Sequence, residues 1–395
     1  MVDSPYVERI TADKSPLWKD NAPILGRLDF ELTERCNNNC IHCCINLPLD
    51  DAEARRRELS TDEIHRILLE AATLGCLEVR FTGGEPLVRE DFENIYLFAR
   101  RLGLKVYIFT NATLIDEHWA NLLARVPPLE PMEITIYGMT RRSYEGVSRM
   151  PGTYEAAWRG VNLLLDRKVP FIVKGALLPP NLHEREQFIA WAATIPWMEG
   201  PPTYSMFFEK RARRDSERKD RLIGRVRLDP VRGTGIAAEM SRETQEQSHE
   251  FCRRFMGPPG ENLFSCGAGI GVGNVDAYGF FQPCLALRHP ETVYDLRKGA
   301  LKDALTRFFP ELRKLKATNP EYLARCAKCF LKGLCEQCPA KSWSELGTLD
   351  TPVEYLCQVA HAEGRRLGLL GEGEKPWEVT DWRERIAKLA KSNPD

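Results

Sequence analysis

The hydrophobic pattern after the first 25 residues alternates between short strand-like runs and longer helical runs. Residues 28–33 and 77–82 alternate strictly between apolar and polar side chains, which is the period of a β-strand. Between them, apolar residues recur at helical spacing over residues 64–74. Ser60 and Glu63 have the spacing of a capping box at the start of this predicted helix. The pattern therefore predicts a strand–helix–strand unit.

The same alternation repeats further along the chain. The predicted strands occupy residues 28–33, 77–82, 104–110, 132–137, 171–177 and 203–208. The later predicted helices occupy residues 91–102, 115–125, 153–167 and 184–193. Six βα units in a row favour an α/β fold in which a parallel sheet curls into a partial (β/α)6 TIM-like barrel.

One face of several predicted strands is polar, and the other face is apolar. The polar positions are Asp29, Glu31, Thr33, Glu78, Arg80, Thr82, Glu133, Thr135 and Tyr137. The apolar positions are Phe30, Leu32, Val79, Phe81, Ile134 and Ile136. A sheet with one solvated face is an alternative, but parallel sheets are usually covered on both sides. The pattern therefore favours a polar, accessible bore with room for a ligand, and it predicts that the apolar face packs on helices.

Thirteen cysteines in 395 residues are too many to arise by chance. The N-terminal segment lacks the apolar run of a signal peptide, so metal ligation is a better interpretation than a disulfide framework. The 55 basic and 56 acidic residues nearly cancel, which does not favour binding to nucleic acid or to an anionic membrane. No stretch approaches the roughly 20 apolar residues of a membrane span. We therefore expect a cytoplasmic protein with no nucleic-acid and no membrane partner.

Three cysteines with the spacing CxxxCxxC, namely Cys36, Cys40 and Cys43, follow the first predicted strand. A [4Fe–4S] cluster normally takes four cysteines, so three thiolates would leave one iron open to an external ligand. A zinc site is the alternative, but no fourth ligand follows at the spacing that zinc sites use. Cys44 is interpreted as a packing residue, because a direct neighbour of Cys43 rarely reaches the same cluster.

The cysteine motif and the segment Gly83-Gly84-Glu85-Pro86, which ends the second predicted strand, resemble the signatures of the radical S-adenosylmethionine superfamily. The resemblance implies a [4Fe–4S] cluster whose open iron is chelated by S-adenosylmethionine. Reductive cleavage would give methionine and a 5′-deoxyadenosyl radical, with an electron donor such as flavodoxin or ferredoxin. In the family, backbone carbonyls of the glycine-rich segment bind the methionyl amine, and Glu85 would support that segment.

The resemblance also implies roles for residues around the cofactor. His42 occupies the position that lies near the adenine, and Thr135 that of the hydroxyl residue that meets the ribose. Arg149 falls where relatives place an arginine on the cofactor carboxylate, although a surface salt bridge is an equal alternative. Asn111 and Tyr137 end predicted strands on the side of the site, and they are the candidate catalytic residues.

A second cysteine series in the C-terminal part resembles the SPASM domain, which holds two auxiliary [4Fe–4S] clusters and brings the total to three. Taken alone, residues 326–338 would favour half of a zinc ribbon. The resemblance assigns the outer cluster to Cys326, Cys329, Cys335 and Cys357. It assigns the inner cluster to Cys266, Cys284 and Cys338. Cys252 is the candidate fourth ligand of the inner cluster, although it lies farther from Cys266 than in sulfatase-maturating relatives.

Three further segments have distinctive patterns. Residues 209–231 are dense in charge, which is typical of a solvated helix or loop, and substrate docking is the alternative. The glycine-rich run 266–274 lacks GxGxxG spacing and follows no predicted strand, so it predicts a hairpin that turns at 276–279. Residues 378–392 predict a terminal amphipathic helix.

Together these patterns divide the chain into five segments and suggest a function. The segments are an N-terminal extension (1–25), a partial barrel (26–235), a bridging segment (236–264), a SPASM domain (265–360) and a helical tail (361–395). Because SPASM enzymes mostly modify peptides or proteins, the hypothesis is an oxidoreductase that matures a peptide or protein substrate by hydrogen abstraction, for example in crosslink or thioether formation. Leader recognition would need a separate leader-binding protein or the charged segment 209–231.

Three alternatives to this hypothesis remain open. The first is radical modification of a small molecule or tetrapyrrole. The second is protein oxidation of the sulfatase-maturase kind, which Leu285 disfavours because that branch has an acidic residue after the cysteine matching Cys284. The third is a non-catalytic zinc scaffold, which would contain zinc rather than iron.

Overall fold

Six parallel strands form the centre of the computed structural model, which describes residues 25–240 and 255–391. The strands are β1 (Arg27–Thr33), β2 (Glu78–Gly83), β3 (Lys105–Thr110), β4 (Met132–Ile136), β5 (Phe171–Ala176) and β6 (Thr203–Ser205). Each strand pairs in parallel with the next one along the chain. The predicted α/β fold with a partial barrel is confirmed, and the strand ends agree within one residue except that β6 stops at Ser205 instead of 208.

Helices cover the apolar side of this sheet. They are α1 (Ala52–Arg57), α2 (Thr61–Thr73), α3 (Phe92–Arg101), α4 (Glu117–Arg125), α5 (Arg141–Ser148), α6 (Thr153–Asp166) and α7 (Arg185–Ala192). The predicted capping box of α2 is confirmed, since Ser60 Oγ accepts from Glu63 N–H and the Glu63 carboxylate accepts from Ser60 N–H. The apolar strand positions predicted to pack on helices are all buried in one core, at no more than 2% exposure.

The C-terminal part of the chain continues the same sheet. Strand β7 (Val272–Val275) pairs in parallel with β1, and β8 (Phe280–Gln282) returns antiparallel to β7 and pairs with β9 (Tyr294–Asp295). The predicted hairpin turn at 276–279 is confirmed, with Gly279 in the left-handed region at φ 88°. β1 pairs with β2 along one edge, and β7 pairs with its other edge. The hairpin that follows Cys266 therefore covers the backbone hydrogen-bonding groups of that second edge.

A buried ion network joins this hairpin region to the barrel. The Arg288 guanidinium contacts the Glu31 carboxylate, and its Nη1 lies 3.1 Å from Glu34 Oε1. Arg213 bridges Glu34 at 2.6 Å and Asp276 at 2.7 Å. The other four side chains of the network are essentially inaccessible to water, and Arg213 is partly exposed. Because unpaired buried charges are costly, the network holds the two parts of the chain in one arrangement.

The remaining helices lie after the barrel strands. They are α8 (Glu217–Val226), α9 (Pro230–Met240), α10 (301–312, with a central π-helical segment), α11 (Pro320–Ala324), α12 (Pro339–Leu346), α13 (Glu354–Arg366) and α14 (Trp382–Lys391). The predicted terminal helix begins at Trp382 rather than at 378. No helix in the described ranges is long and apolar enough to cross a membrane. Nearly all of the predicted N-terminal extension, much of the bridging segment and Cys252 fall outside the described residues.

Candidate functional site

A cavity of about 690 Å³ opens at the carboxyl ends of the barrel strands. Its wall includes Thr82 and Gly83 at the end of β2, Thr135 on β4, and Ala176 at the end of β5. The carboxyl ends of barrel strands are where active sites of such folds are built. Of the predicted polar bore positions, Thr82, Thr135 and Tyr137 line this cavity, whereas the other six do not, and Glu31 and Thr33 are fully buried.

The three N-terminal cysteines, Cys36, Cys40 and Cys43, all line this cavity. Their loop is held against the end of α5 by the two residues that flank Cys40, because Asn39 N–H and Ile41 N–H donate to backbone carbonyls there. Burial raises the pKa of Cys36, and burial together with the neighbouring Cys43 raises the pKa of Cys40 to about 12. A metal that coordinated these thiols would deprotonate them.

The glycine pair at the end of β2 approaches the cysteine loop very closely. Gly84 N–H donates to the Thr33 carbonyl at 2.7 Å, and Glu85 N–H donates to the Arg35 carbonyl at 3.0 Å. A Cβ at Gly83 would lie 2.1 Å from the Thr33 oxygen, and a Cβ at Gly84 would lie 2.2 Å from the Arg35 oxygen. Both positions therefore require glycine, because any larger residue would push the segment that leads into Cys36.

Glu85 is completely buried behind this glycine pair and does not line the cavity. Its carboxylate accepts from Thr110 Oγ1 and Asn111 N–H, both at 2.8 Å, and from Leu87 N–H at 3.2 Å. Burial raises the pKa of Glu85 to about 7, although these three donors oppose the shift. Glu85 thus fastens the end of β2 to the end of β3, which agrees with the supporting position expected for it.

His42, Thr135 and Tyr137 share the cavity wall with the cysteines. The His42 ring lies 4.7 Å from the Phe208 ring and 5.8 Å from the Tyr137 ring, centroid to centroid. Burial lowers the pKa of His42 to about 4, so its imidazole is neutral near pH 7. Burial raises the pKa of Tyr137 well above its ordinary value, and the nearby Cys40 adds to this shift. An aromatic pocket therefore lies beside the thiols.

The side-chain amide of Asn111 also reaches the cavity wall, but protein groups occupy it. Its Nδ2 donates to Asn37 Oδ1 at 3.0 Å, and its Oδ1 accepts from both the backbone N–H and the hydroxyl of Thr113. Its Nδ2 also lies 3.9 Å from Cys36 Sγ. Asn111 therefore positions the cysteine loop, and Tyr137, the other predicted catalytic candidate, contacts Cys40 and packs on the His42 and Tyr144 rings.

Two residues do not lie where the sequence placed them. Arg149 is exposed in the left-handed conformation that ends α5, and it lines a separate cavity rather than the large one. Its approach to the cofactor carboxylate stays a prediction. Cys44 was expected to be a packing residue, but it is half-buried on the wall of the large cavity. Burial and the nearby Glu209 carboxylate raise the pKa of its thiol.

The far wall of the cavity carries charged residues that sequence reasoning did not single out. Lys341 Nζ lies 2.5 Å from Glu209 Oε2 and 3.5 Å from Glu336 Oε2. Burial acts to lower the pKa of Lys341, but the two carboxylates raise it above its ordinary value. Lys174 pairs with Glu133 in the same way. Two of these residues had a sequence signal, since Glu209 begins the charged segment 209–231 and Glu133 is one of the predicted polar strand positions.

The C-terminal cysteines comprise the predicted outer and inner sets. The predicted outer set, Cys326, Cys329, Cys335 and Cys357, lines one cavity. Burial raises the pKa of each of these thiols, and for Cys326 and Cys357 it reaches about 12 with further contributions from the other members. In the predicted inner set, burial raises the pKa of Cys284 to about 11, and Cys338 and Cys266 raise it further. The structure therefore places the outer set around one cavity, and Cys284 of the inner set directly precedes Leu285 on the wall of the large cavity. The grouping of Cys266, Cys284 and Cys338 around one cluster stays a prediction.

The N-terminal site fits an iron–sulfur cluster by its donor chemistry. Three thiols, those of Cys36, Cys40 and Cys43, face one cavity. A site for a single metal ion is not seen in the described ranges, because no three His, Cys, Asp or Glu side chains lie close enough together to hold one. Within the described residues, His42 Nδ1 and both amide atoms of Asn38 are buried without a partner. Buried polar atoms of this kind normally have a partner, so they indicate a bound group in this loop.

Comparison with known proteins agrees with this site. Residues 30–192 match the family model described as the Radical SAM superfamily. The chain is 25% identical to an AdoMet-dependent heme synthase of Methanosarcina barkeri over 83% of this chain and 94% of that protein. It is 31% identical to a PqqA peptide cyclase of Rhodopseudomonas palustris over 42% of this chain and 43% of that one.

The fold is similar to a solved structure as well. The crystal structure of Streptococcus suis SuiB bound to S-adenosylmethionine superposes with a TM-score of 0.61 at 16% identity, over 86% of this chain and 79% of that one. The cysteine motif, the glycine-rich segment and strands β2 to β5 all lie within the matched residues 30–192, whereas β6 lies beyond them. Residues 30–192 of this chain are therefore a radical S-adenosylmethionine domain, the catalytic domain of an enzyme that uses S-adenosylmethionine and an iron–sulfur cluster.

Proposed function

We propose that this enzyme holds three [4Fe–4S] clusters and abstracts a hydrogen atom from a peptide or protein segment in the large cavity. Cys36, Cys40 and Cys43 would hold the first cluster. When bound there, that cluster supplies the electron that cleaves S-adenosylmethionine into methionine and a 5′-deoxyadenosyl radical. The electron would come from a donor such as flavodoxin or ferredoxin.

The chain's own residues would bind and orient the cofactor. The backbone of Gly83 and Gly84 would bind the methionyl amine through its carbonyls, and Glu85 would keep that backbone in place through its three hydrogen bonds. Thr135 would meet the ribose, and the neutral His42 ring would lie along the adenine. The Tyr137 and Phe208 rings beside His42 would help to exclude water from the place where the radical would form.

The charge balance of the large cavity is the observation that favours a peptide substrate. Among its described lining residues there is no arginine, and both lysines, Lys174 and Lys341, are already paired with carboxylates. A tetrapyrrole with several carboxylates would need free cations, because buried charges require partners. A peptide segment is mostly uncharged and suits the aromatic residues Tyr204, Phe207 and Phe208 on the wall.

The C-terminal cysteines would hold the two auxiliary clusters of a SPASM domain at 265–360, beyond the barrel at 26–235 and the bridging segment at 236–264. The outer cluster would take Cys326, Cys329, Cys335 and Cys357, which share one cavity. The inner cluster would take Cys266, Cys284 and Cys338, with Cys252 as its proposed fourth ligand. A cytoplasmic location and a separate leader-binding protein remain predictions.

Iron analysis after anaerobic purification tests the cluster assignment. Three cubane clusters correspond to about twelve irons per chain at four irons each. Replacing Cys36, Cys40 and Cys43 by serine should remove about four irons and abolish cleavage of S-adenosylmethionine with dithionite. Replacing the outer four cysteines should also remove about four irons but leave the first cluster's electron paramagnetic resonance signal. Cys76→Ser is the matched control, because Cys76 lines neither cysteine cavity and should keep all irons.

The peptide assignment is tested by mass spectrometry of a precursor peptide encoded beside the gene. With cofactor and reductant, the peptide should lose hydrogen or gain a crosslink, and one deuterium from a labelled residue should appear in 5′-deoxyadenosine. The second candidate is tetrapyrrole modification, which is favoured because the heme synthases of Methanosarcina barkeri and Nitratidesulfovibrio vulgaris match 83% and 85% of this chain. Conversion of an iron porphyrin carboxylate, with no change in the peptide, would replace the peptide assignment.

A further inference from the structure

A second cavity of about 260 Å³ lies beside the cysteine loop and has a strongly basic wall. We call it the basic cavity, and it is lined by Asn39, Cys40, Ile41, Arg149, Arg218, Lys219, Arg221, Leu222 and Arg225. Cys40 is the one described residue that lines both this cavity and the large one. The loop that carries the first thiols therefore separates the two cavities.

Helix α8 builds one side of the basic cavity. The helix begins with Ser216 as its N-cap, whose hydroxyl accepts a hydrogen bond from Lys219 N–H. On its inner side, Ile223 is fully buried in the hydrophobic cluster that contains Ile41. Arg218, Arg221 and Arg225 are spaced by three and four residues, so they follow one another along a single exposed face. The apolar face of α8 thus rests on the cysteine loop while the arginines surround its edge.

The positive charge of this surface is not balanced within the described part of the chain. No acidic residue lines the basic cavity, and Arg149, Arg218 and Arg225 make no ion pair with any described residue. Arg221 pairs with Glu217 at 3.2 Å, and Lys219 Nζ donates to Asn46 Oδ1 at 2.7 Å. Like charges brought together on one surface repel each other, and an anionic partner relieves that repulsion. The large cavity, in contrast, has its lysines paired.

We propose that the basic cavity docks an acidic one-electron carrier protein. The proposal rests on the proposed function, because it needs a cluster on Cys40 and its two neighbours. In each encounter the carrier would be oxidised by one electron and the enzyme reduced by one electron, with no atoms exchanged. The cavity suits this partner because it reaches the thiol loop at Cys40 and shares no other described lining residue with the large cavity, so that carrier and substrate would not compete.

The shape of the surface also favours a protein over a small anion. The arginines on α8 are exposed and lie around a rim rather than in an enclosed pocket. Complementary rim charges mainly accelerate association and make it sensitive to salt. An acidic leader peptide is a different partner, and it would be expected to reach the large cavity rather than the basic cavity.

The test compares holoenzyme with the double variant Arg218→Glu/Arg225→Glu, using reduced flavodoxin as the probe. We expect flavodoxin binding, measured by biolayer interferometry at low salt, to weaken about tenfold or more, within the range that electrostatic steering covers. Flavodoxin-dependent cleavage of S-adenosylmethionine should fall in parallel, whereas dithionite-dependent cleavage should stay at the wild-type rate. The charge-conserving variant Arg218→Lys/Arg225→Lys should retain most of the affinity.

The matched control is Lys328→Glu, which reverses an exposed charge beside the outer cysteine group. Unchanged flavodoxin binding in the double variant would overturn the proposal, as would a loss at Lys328→Glu alone, because electrons would then enter at the outer group. Loss of acidic precursor-peptide binding with intact flavodoxin binding would also overturn it. If wild-type enzyme fails to cleave the cofactor even with dithionite, the proposed function fails, while the affinity measurement still tests the docking surface.

Discussion

Replacing Gly84 by alanine tests whether close backbone contact positions the cysteine loop. A Cβ at this position would lie 2.2 Å from the Arg35 oxygen and 2.7 Å from the Glu34 oxygen, whereas real Cβ contacts stay beyond 3.0 Å. One of the two backbones must therefore retreat by at least about 0.8 Å, since a close-packed interior leaves no free space. Because Cys36 directly follows Arg35, the displacement is passed on to the first thiol.

The expected effect of Gly84→Ala has two parts. Overpacking of a well-packed site typically costs about 1–3 kcal/mol of folding free energy. A displacement of about 1 Å in a catalytic arrangement can lower the rate about 100-fold. We therefore expect less iron after anaerobic reconstitution and about 100-fold slower cleavage of S-adenosylmethionine with dithionite, measured by liquid chromatography of 5′-deoxyadenosine.

The matched control for this variant is Gly200→Ala, because a Cβ at Gly200 would meet no atom within 4 Å. The control should keep the iron content, the cleavage rate and the melting temperature of the wild type. Wild-type iron content and rate in Gly84→Ala would refute the reasoning, because the cysteine loop would then tolerate the displaced contact.

Two further variants test the buried charges. Burial raises the pKa of Glu85 from 4.5 to about 7, so its contribution to stability is complete below pH 4.5 and is lost as the pH rises through about 7. Glu85→Gln should flatten the melting temperature as a function of pH in that window, and a variant profile as steep as that of the wild type would contradict the assignment. Arg288→Met should lower the free energy of unfolding by about 3–5 kcal/mol in denaturant titrations, because Glu31 and Glu34 would lose a buried partner. The control Arg297→Met removes a partly exposed ion pair and should cost less than about 1 kcal/mol, so equal losses in both variants would disprove the special role of the buried network.

Local sequence patterns were sufficient for the barrel strands. Alternation over 28–33 and 77–82 reports burial on one side of each strand, which depends only on neighbouring residues, and both strands lie within one residue of their predicted ends. Helix α5 has no predicted counterpart. Its eight residues carry only a few apolar positions, and its ends depend on capping by Thr140 and on the left-handed conformation of Arg149.

In the candidate site, too, the local motifs could be predicted from the sequence and the tertiary contacts could not. The glycine pair was recognisable as a close-approach segment, since only glycine admits another backbone at that distance. The sequence could not reveal that the partner backbone is Thr33 to Arg35, or that Glu85 turns away from the cavity to hold Thr110 and Asn111.

By itself, the amino-acid sequence determined the six-stranded α/β barrel, the cysteine spacing and the glycine-rich segment, because periodicity and motif spacing are properties of neighbouring residues. Only the tertiary structure decided that β7 joins β1, that Lys341 meets Glu209 across the cavity, and that Arg149 stands with the arginines of α8 instead of at the large cavity. These contacts join residues far apart in the chain, and their free energy comes from burial and charge pairing that exist only once the chain has folded.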